Sequence, residues 1–218
     1  MRTKYNQYHS VVIPLQRYLQ KRGVSFDLQT QVIDIEFTFE GDNKTATSIH
    51  AVNGKGKKLD IILDKNDYVF ITNGSITERT DKGSWRSPPV LKDKSTSGSW
   101  MLWQKIALKH EAFGKPGVFS DSIDLQKWYS FTATVKGSTF HDYMENFSGN
   151  VDGTGGLVTM TDSNWLMSIV IARQPHFPDQ PEDVKVFWGY GLYPDRMGNY
   201  VKKKLSDCSG EEIVDELW

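Results

Sequence analysis

Gln31-Val32-Ile33-Asp34-Ile35-Glu36-Phe37-Thr38-Phe39 decides the fold class of this chain. Apolar and polar residues alternate along it, and the apolar positions are β-branched or aromatic, which is the pattern of a strand with one buried face. Glu40-Gly41-Asp42-Asn43 then reads as a turn, residues 45–52 alternate again, and Asn53-Gly54-Lys55-Gly56 is a strong hairpin signal before residues 58–63 pair back. A β-meander is predicted. Gly23-Val24-Ser25-Phe26 predicts a further short strand ahead of it, joined by a short turn.

Upstream, Val11, Val12, Leu15, Tyr18 and Leu19 recur at the spacing of a helix face and predict a helix over residues 10–21. Ser10 is the candidate N-cap, whereas Pro14 suits the first turn only if the helix begins nearer Ile13. Downstream, Asp67-Tyr68-Val69-Phe70-Ile71-Thr72 predicts a strand buried on both faces, ending in the tight turn Asn73-Gly74-Ser75. Residues 78–99 turn to Lys, Ser, Gly, Pro and Asp, predicting an exposed loop with room for a lid. A helix over residues 99–108 follows, capped by Ser99 and stopped around Phe113-Gly114-Lys115-Pro116.

Four more strands are predicted, at residues 128–135, 156–160, 165–172 and 184–190, and Ser209-Gly210-Glu211-Glu212 has the form of a capping box that opens a last helix. The fold class is α+β. A boundary is placed near residue 80, with a meander-containing domain over residues 1–80 and a second, mixed portion over residues 81–218 that includes the polar loop at 81–98. No internal repeat is visible.

Lys and Arg number 26 against 27 Asp and Glu, so no positive surplus points to nucleic acid or an anionic membrane. The single cysteine, Cys208, makes no internal disulfide, and no Cys/His cluster has metal-ligand spacing. The longest uncharged apolar run, about residues 166–172, is far short of the roughly 20 residues of a membrane span, and the first residues are not a signal-peptide core. A soluble, unexported, cytoplasmic chain is expected.

Familiar catalytic patterns are missing. Gly153-Thr154-Gly155-Gly156 has Val158 where the third glycine of a dinucleotide fingerprint belongs, so it reads as a loop before a strand. His9, His50, His110, His141 and His176 are scattered, no nucleophile elbow exists, and the acidic neighbours of Cys208 raise a thiol pKa rather than lower it. Asn73-Gly74 reads two ways: a turn after a strand, or a side-chain-free approach for a flavin. The aromatic residues in polar contexts, Tyr5, Tyr8, Trp85, Trp100, Trp103 and Trp165, either line an apolar ligand pocket or fill a β-rich core. Tyr5 and Tyr8 lie in a polar segment before a helix, where a phenol is either a proton donor or surface packing.

Six strings in order carry a resemblance: Lys4-Tyr5-Asn6-Gln7-Tyr8, Thr72-Asn73-Gly74-Ser75, Gly98-Ser99-Trp100-Met101-Leu102-Trp103, Asp162-Ser163-Asn164-Trp165-Leu166-Met167-Ser168, Arg173-Gln174-Pro175-His176-Phe177 and Tyr200-Val201-Lys202-Lys203. Together they resemble the middle portion of the oleate hydratases, the flavin-binding family also called myosin-cross-reactive antigens. The resemblance implies the β-rich part of a two-dinucleotide-domain flavoprotein joined to part of a substrate domain. It also implies addition of water across the cis double bond of an unsaturated fatty acid such as oleate. Such hydration needs a proton donor at one carbon and an activated water at the other, in a dry pocket.

Carried over string by string, the resemblance makes Tyr5 the proton donor, with Tyr8 as the alternative. Thr72, Asn73, Gly74 and Ser75 become the flavin-side turn, Gln29 a polar residue near the substrate, and His176 a ligand of the fatty-acid carboxylate. Val170 and Ala172 stand where the family often has hydroxyl or amide side chains. Each lost charge-assisted hydrogen bond there is worth roughly 1.5–3 kcal/mol. The cofactor implied is FAD, shaping the site and supporting it electrostatically. The family's water-positioning glutamate and pyrophosphate loop belong to an amino-terminal segment outside this sequence, so the chain alone is expected to be inactive and to hold FAD poorly.

The partners implied are the fatty acid, without nucleic acid or metal, and either a second copy in a full-length homodimer or a separate amino-terminal piece. The cytoplasm, at the membrane periphery, is the implied location. A catalytically silent lipid-binding or interaction module is the alternative from another class. An aromatic-rich carbohydrate-binding module is more distant and needs ordered, exposed Trp pairs.

Overall fold

A computed structural model describes residues 3–73, 77, 80–90, 98–154 and 156–218. They pack as two compact units, one of residues 1–25, 82–89 and 127–218 and the other of residues 26–81 and 90–126. These units do not follow a single cut near residue 80. Helices and antiparallel sheets are mixed in the chain.

In the second unit, β1 (Thr30–Glu40), β2 (Asn43–Asn53) and β3 (Lys58–Ile62) form an antiparallel meander in sequential order. The ladder is irregular between Val32 and Asp34, and this bulge lets Val32 and Ile35, three residues apart, both reach one core. Helix α2 (Gly98–Ala107) supplies Leu102 and Ile106 to that core, and the Phe37 and Phe113 rings meet at 4.6 Å. Asp34 anchors the pairing of α2 with β1. Burial pushes its carboxyl up, but Lys109 at 2.9 Å and Lys105 at 3.0 Å more than offset this and hold it below the usual range. The helix agrees within a residue with the expected 99–108, and Phe113, in the expected stop region, closes a short 3-10 turn at Glu111–Phe113 ahead of the single-turn α3 (Gly117–Ser120).

The first unit is built on a four-stranded antiparallel sheet in the order β4-β7-β6-β5. Its strands are β4 (Tyr129–Lys136), β5 (Leu157–Thr159), β6 (Met167–Ile171) and β7 (Val184–Gly191). One face buries Met167, Ile169, Ile171 and Phe187 under α4 (Thr139–Ser148) and α5 (Gly210–Leu217). Trp165 is fully buried there, its indole N–H donating to the Arg196 carbonyl at 2.9 Å, so this tryptophan is core. The capping box of α5 is complete, with Ser209 and Glu212 each accepting from the other's backbone N–H.

Several expectations are corrected. Residues 23–26 form no strand, and residues 67–72 form none either: Tyr68 and Phe70 are 86% and 88% exposed. An apolar run records burial potential, whereas a strand also needs a ladder partner, and no described strand pairs with this one. The first helix is not capped by Ser10. A π-helical turn at Tyr8–Val12 precedes α1 (Ile13–Gln20), which places Pro14 in the first turn where it is tolerated. Part of the polar loop is docked rather than free, since the Ser84 and Trp85 carbonyls accept from the Gly210 and Glu211 N–H groups at the start of α5. Helix α4 was not expected, although Phe140, Tyr143, Met144 and Phe147 follow helical spacing and Gly149 closes it in the left-handed region. No helix among the described residues is long and apolar enough to cross a membrane.

Candidate functional site

The connection from β6 to β7 carries three prolines, Pro175, Pro178 and Pro181, so its backbone has few donors with which to fold on itself. Two glutamines supply the missing bonds. Gln174 donates to the Ala172 carbonyl (2.8 Å) and the Val186 carbonyl (2.7 Å), and its own oxygen accepts from Val186 N–H and from Gln180. Gln180 donates to Gln174 (2.7 Å) and to the Val184 carbonyl (2.7 Å), while its oxygen accepts from the His176 and Phe177 N–H groups at 2.8 and 3.2 Å. Both amides are saturated, which fixes the loop that presents His176.

The segment before α1 lies against this loop. Asn6 donates to the His176 carbonyl twice, from its backbone N–H and from Nδ2, each at 3.0 Å. Its Oδ1 accepts from the His9 backbone N–H at 3.0 Å and meets His9 Nδ1 at 2.9 Å. An amide oxygen only accepts, so His9 carries its proton on Nδ1. The His9 ring then packs edge-on against Phe177. Next to Asn6, Tyr5 and Ser10 close a local ring in which Tyr5 N–H donates to Ser10 Oγ (3.0 Å) and Ser10 Oγ–H donates to the Tyr5 carbonyl (3.2 Å).

An open cleft of about 340 Å³ is lined by Thr3, Lys4, Tyr5, His9, Ser10 and Pro14, with the Lys4 ammonium 5.1 Å from the centre of the Tyr5 ring. Tyr5 is partly buried, whereas Tyr8 is 59% exposed and does not line the cleft. Burial lowers the pKa of the His176 imidazole and the neighbouring His9 lowers it further. A carboxylate arriving at His176 has the opposite effect and draws a proton onto the ring.

Val170 sits on β6 opposite Trp188, and Leu157 flanks it on the other side. These residues alternate with the buried Ile169 and Ile171 and so occupy the other face of the sheet, where Trp188, Tyr190 and Trp128 also meet. The same face carries Ser130, Thr132, Thr159 and Ser168, the last two hydrogen-bonded through their hydroxyls at 2.9 Å, so it is mixed in polarity.

Of the other predicted site residues, Gln29 belongs to the meander unit, at a left-handed φ of 60° with its side chain against Gly54. Thr72 is exposed in the same unit, and Asn73 Nδ2 is buried without a hydrogen-bond partner among the described residues. Gly74 and Ser75 lie outside the described residues. The structure thus brings Tyr5, Tyr8 and His176 into one unit.

Sequence reasoning missed Asn6, His9 and the Gln174–Gln180 pair. A proline-rich loop with glutamines six residues apart was the available signal for the pair. Nothing local signals that Asn6 reaches a residue 170 positions away.

Elsewhere in this unit Asp152 lies against Glu145, which accepts its backbone N–H at 2.6 Å. Burial and then the Glu145 carboxylate push the Asp152 carboxyl up to about 6, only partly offset by Lys185. Burial, followed by Glu212, likewise pushes the Cys208 thiol up to about 11. Its S–H donates to the Lys204 carbonyl and it is fully buried, which makes it inert packing.

The model of the MCRA family matches residues 1–218. The chain is 42% identical to an oleate hydratase of Streptococcus pyogenes serotype M49 (strain NZ131), over 98% of this chain and 37% of that protein. It is 33% identical to a linoleate hydratase of Lactiplantibacillus plantarum, over 99% of this chain and 40% of that protein. The chain therefore spans about two fifths of the length of these relatives.

Proposed function

Because the chain belongs to the MCRA family, we propose that it is the substrate-side portion of a fatty acid hydratase acting on the cis double bond of an unsaturated fatty acid such as oleate. One observation carries this reading: Asn6 ties the Tyr5 segment to the His176 loop, so a phenol and an imidazole share one unit. The names of the two hydratase relatives support it.

In the proposed reaction the Tyr5 O–H gives its proton to one alkene carbon. A water oxygen bonds to the other carbon and releases a proton, and the phenolate regains one, so the net change is addition of water. His176 takes the fatty-acid carboxylate. Its lowered pKa makes binding proton-coupled, so affinity weakens as pH rises past the imidazole range. The acyl chain runs along the apolar side chains of Leu157, Val170 and Trp188 on that sheet face. Apolar Val170 and Ala172 leave His176 without hydroxyl or amide help from those two positions.

Thr72 and Asn73, with Gly74 and Ser75, would hold FAD, and the unpartnered buried Nδ2 of Asn73 is the donor such a ring would accept from. When bound, FAD supplies a fixed electrostatic surface and no hydride to the net reaction. We place the whole protein in the cytoplasm, at the membrane surface from which its substrate comes.

The test is Tyr5→Phe in the hydratase that carries this sequence, purified with its flavin and assayed for hydroxy acid formed from oleate. Loss of at least about 100-fold in kcat with fatty-acid binding retained is expected for a general acid. Activity equal to wild type refutes Tyr5 as donor. The apolar Val170 and Ala172 favour a second reading, a silent lipid-binding module, which predicts fatty-acid binding with no hydration in wild type or variant.

A further inference from the structure

We infer that Asn6 is a positioning residue that locks the Tyr5 segment and the His176 loop into one ruler and thereby sets where along the acyl chain the proton is delivered. An acyl chain offers no polar group between its carboxylate and its double bond. The separation between the carboxylate ligand and the proton donor is therefore one way for an enzyme to read double-bond position. With Tyr5 as donor and His176 as carboxylate ligand, as proposed above, that separation depends on what joins their backbones.

Among the described residues every polar tie between residues 3–10 and residues 172–184 starts from Asn6. The backbone N–H and Nδ2 of Asn6 converge on one oxygen, the carbonyl of His176, which makes that point a doubly donated joint, and the contact of His9 with Phe177 is a second point that opposes pivoting about it. The remaining amide atom, Oδ1, clamps His9, whose ring braces Phe177, the residue after His176. The far side of the loop is already fixed by Gln180, which leaves Asn6 as the adjustable joint between donor and anchor.

Removing the side chain leaves the single backbone bond and frees His9. Misplacing a donor by about an ångström costs up to ~100-fold in rate, and a loosened joint blurs which of two double bonds is protonated. A merely structural asparagine changes the amount of folded protein but not the choice of bond.

The experiment uses the flavin-loaded hydratase carrying this sequence, with oleate for rate and linoleate for choice, the two hydroxy products being resolved by gas chromatography and mass spectrometry. Asn6→Ala is expected to lower kcat by about 10-fold with KM moving less than about 3-fold, and to shift the ratio of the two linoleate products at least ~5-fold toward a mixture. Asn6→Asp keeps the acceptor for His9 but sets a carboxylate oxygen against the His176 carbonyl in place of the Nδ2 donor, so a shift at least as large in the same direction is expected, from a side chain of near-identical shape. Wild-type product ratio and kcat in both Asn6 variants, alongside an inactive Tyr5→Phe, overturns the inference and leaves the donor assignment standing. Wild-type activity in Tyr5→Phe overturns the donor assignment and this inference with it.

Discussion

Gln180→Ala is the substitution that most directly tests how the His176 loop is held. It removes four hydrogen bonds: two donated, to Gln174 Oε1 and the Val184 carbonyl at 2.7 Å each, and two accepted, from His176 and Phe177 N–H at 2.8 and 3.2 Å. At about 0.5–1.5 kcal/mol net for each bond the gross loss is roughly 4 kcal/mol. The loop is only half-buried, so water replaces Gln180 at the freed N–H groups and the net cost falls to about 2 kcal/mol. The chain packs as two units, so a global melt would mix their transitions, and local amide exchange is the appropriate assay.

A cost of 2 kcal/mol corresponds to about 30-fold faster exchange at the His176 and Phe177 amides, with little change at Ile35 in the other unit. Gln180→Glu separates the halves of the clasp. It keeps the acceptors but sets a negative charge against the Gln174 and Val184 oxygens, and should loosen the loop at least as much as alanine. Exchange within about 3-fold of wild type in both variants would show that the glutamines merely accompany a loop held by something else.

Asp152→Asn should stabilise its unit at neutral pH. The folded protein binds the Asp152 proton more tightly than the unfolded chain does, because its pKa is raised from 3.8 to about 6. Stability is therefore lost as pH rises through that window, and removing the charge is worth about 1–2 kcal/mol at pH near 7.5 after allowing for solvent screening, and nothing near pH 3. Amide-exchange protection of the unit's core, read at Ile169 and Phe187 at the two pH values, checks this, and an equal effect at both contradicts it. Cys208, buried and with its thiol at about 11, should resist iodoacetamide for hours at pH near 8 in the folded protein and react within minutes in guanidinium. Rapid labelling of the native chain would mean that the α5 region opens.

The sequence by itself determined the features that rest on neighbours along the chain. The meander follows from alternation and the turn at residues 53–56, and the capping box of α5 is complete within Ser209–Glu212, because a turn or a cap is closed by residues three or four apart. The short strings that carry the family likeness were equally legible, and the MCRA match over residues 1–218 agrees with them. The strands of the four-stranded sheet were legible as well, and the failures lay where a distant partner was assumed or overlooked. Residues 67–72 have the hydrophobicity of a buried strand but no described ladder partner, so Tyr68 and Phe70 stand in solvent. Residues 82–89, polar enough to read as a free loop, are instead drawn in by the open N–H groups of α5, which need acceptors wherever these can be found. Asn6 and His176 are each unremarkable in their own surroundings, and only the tertiary fold brings a carbonyl at one within reach of two N–H donors at the other, because a hydrogen bond depends on distance in space and carries no mark in sequence.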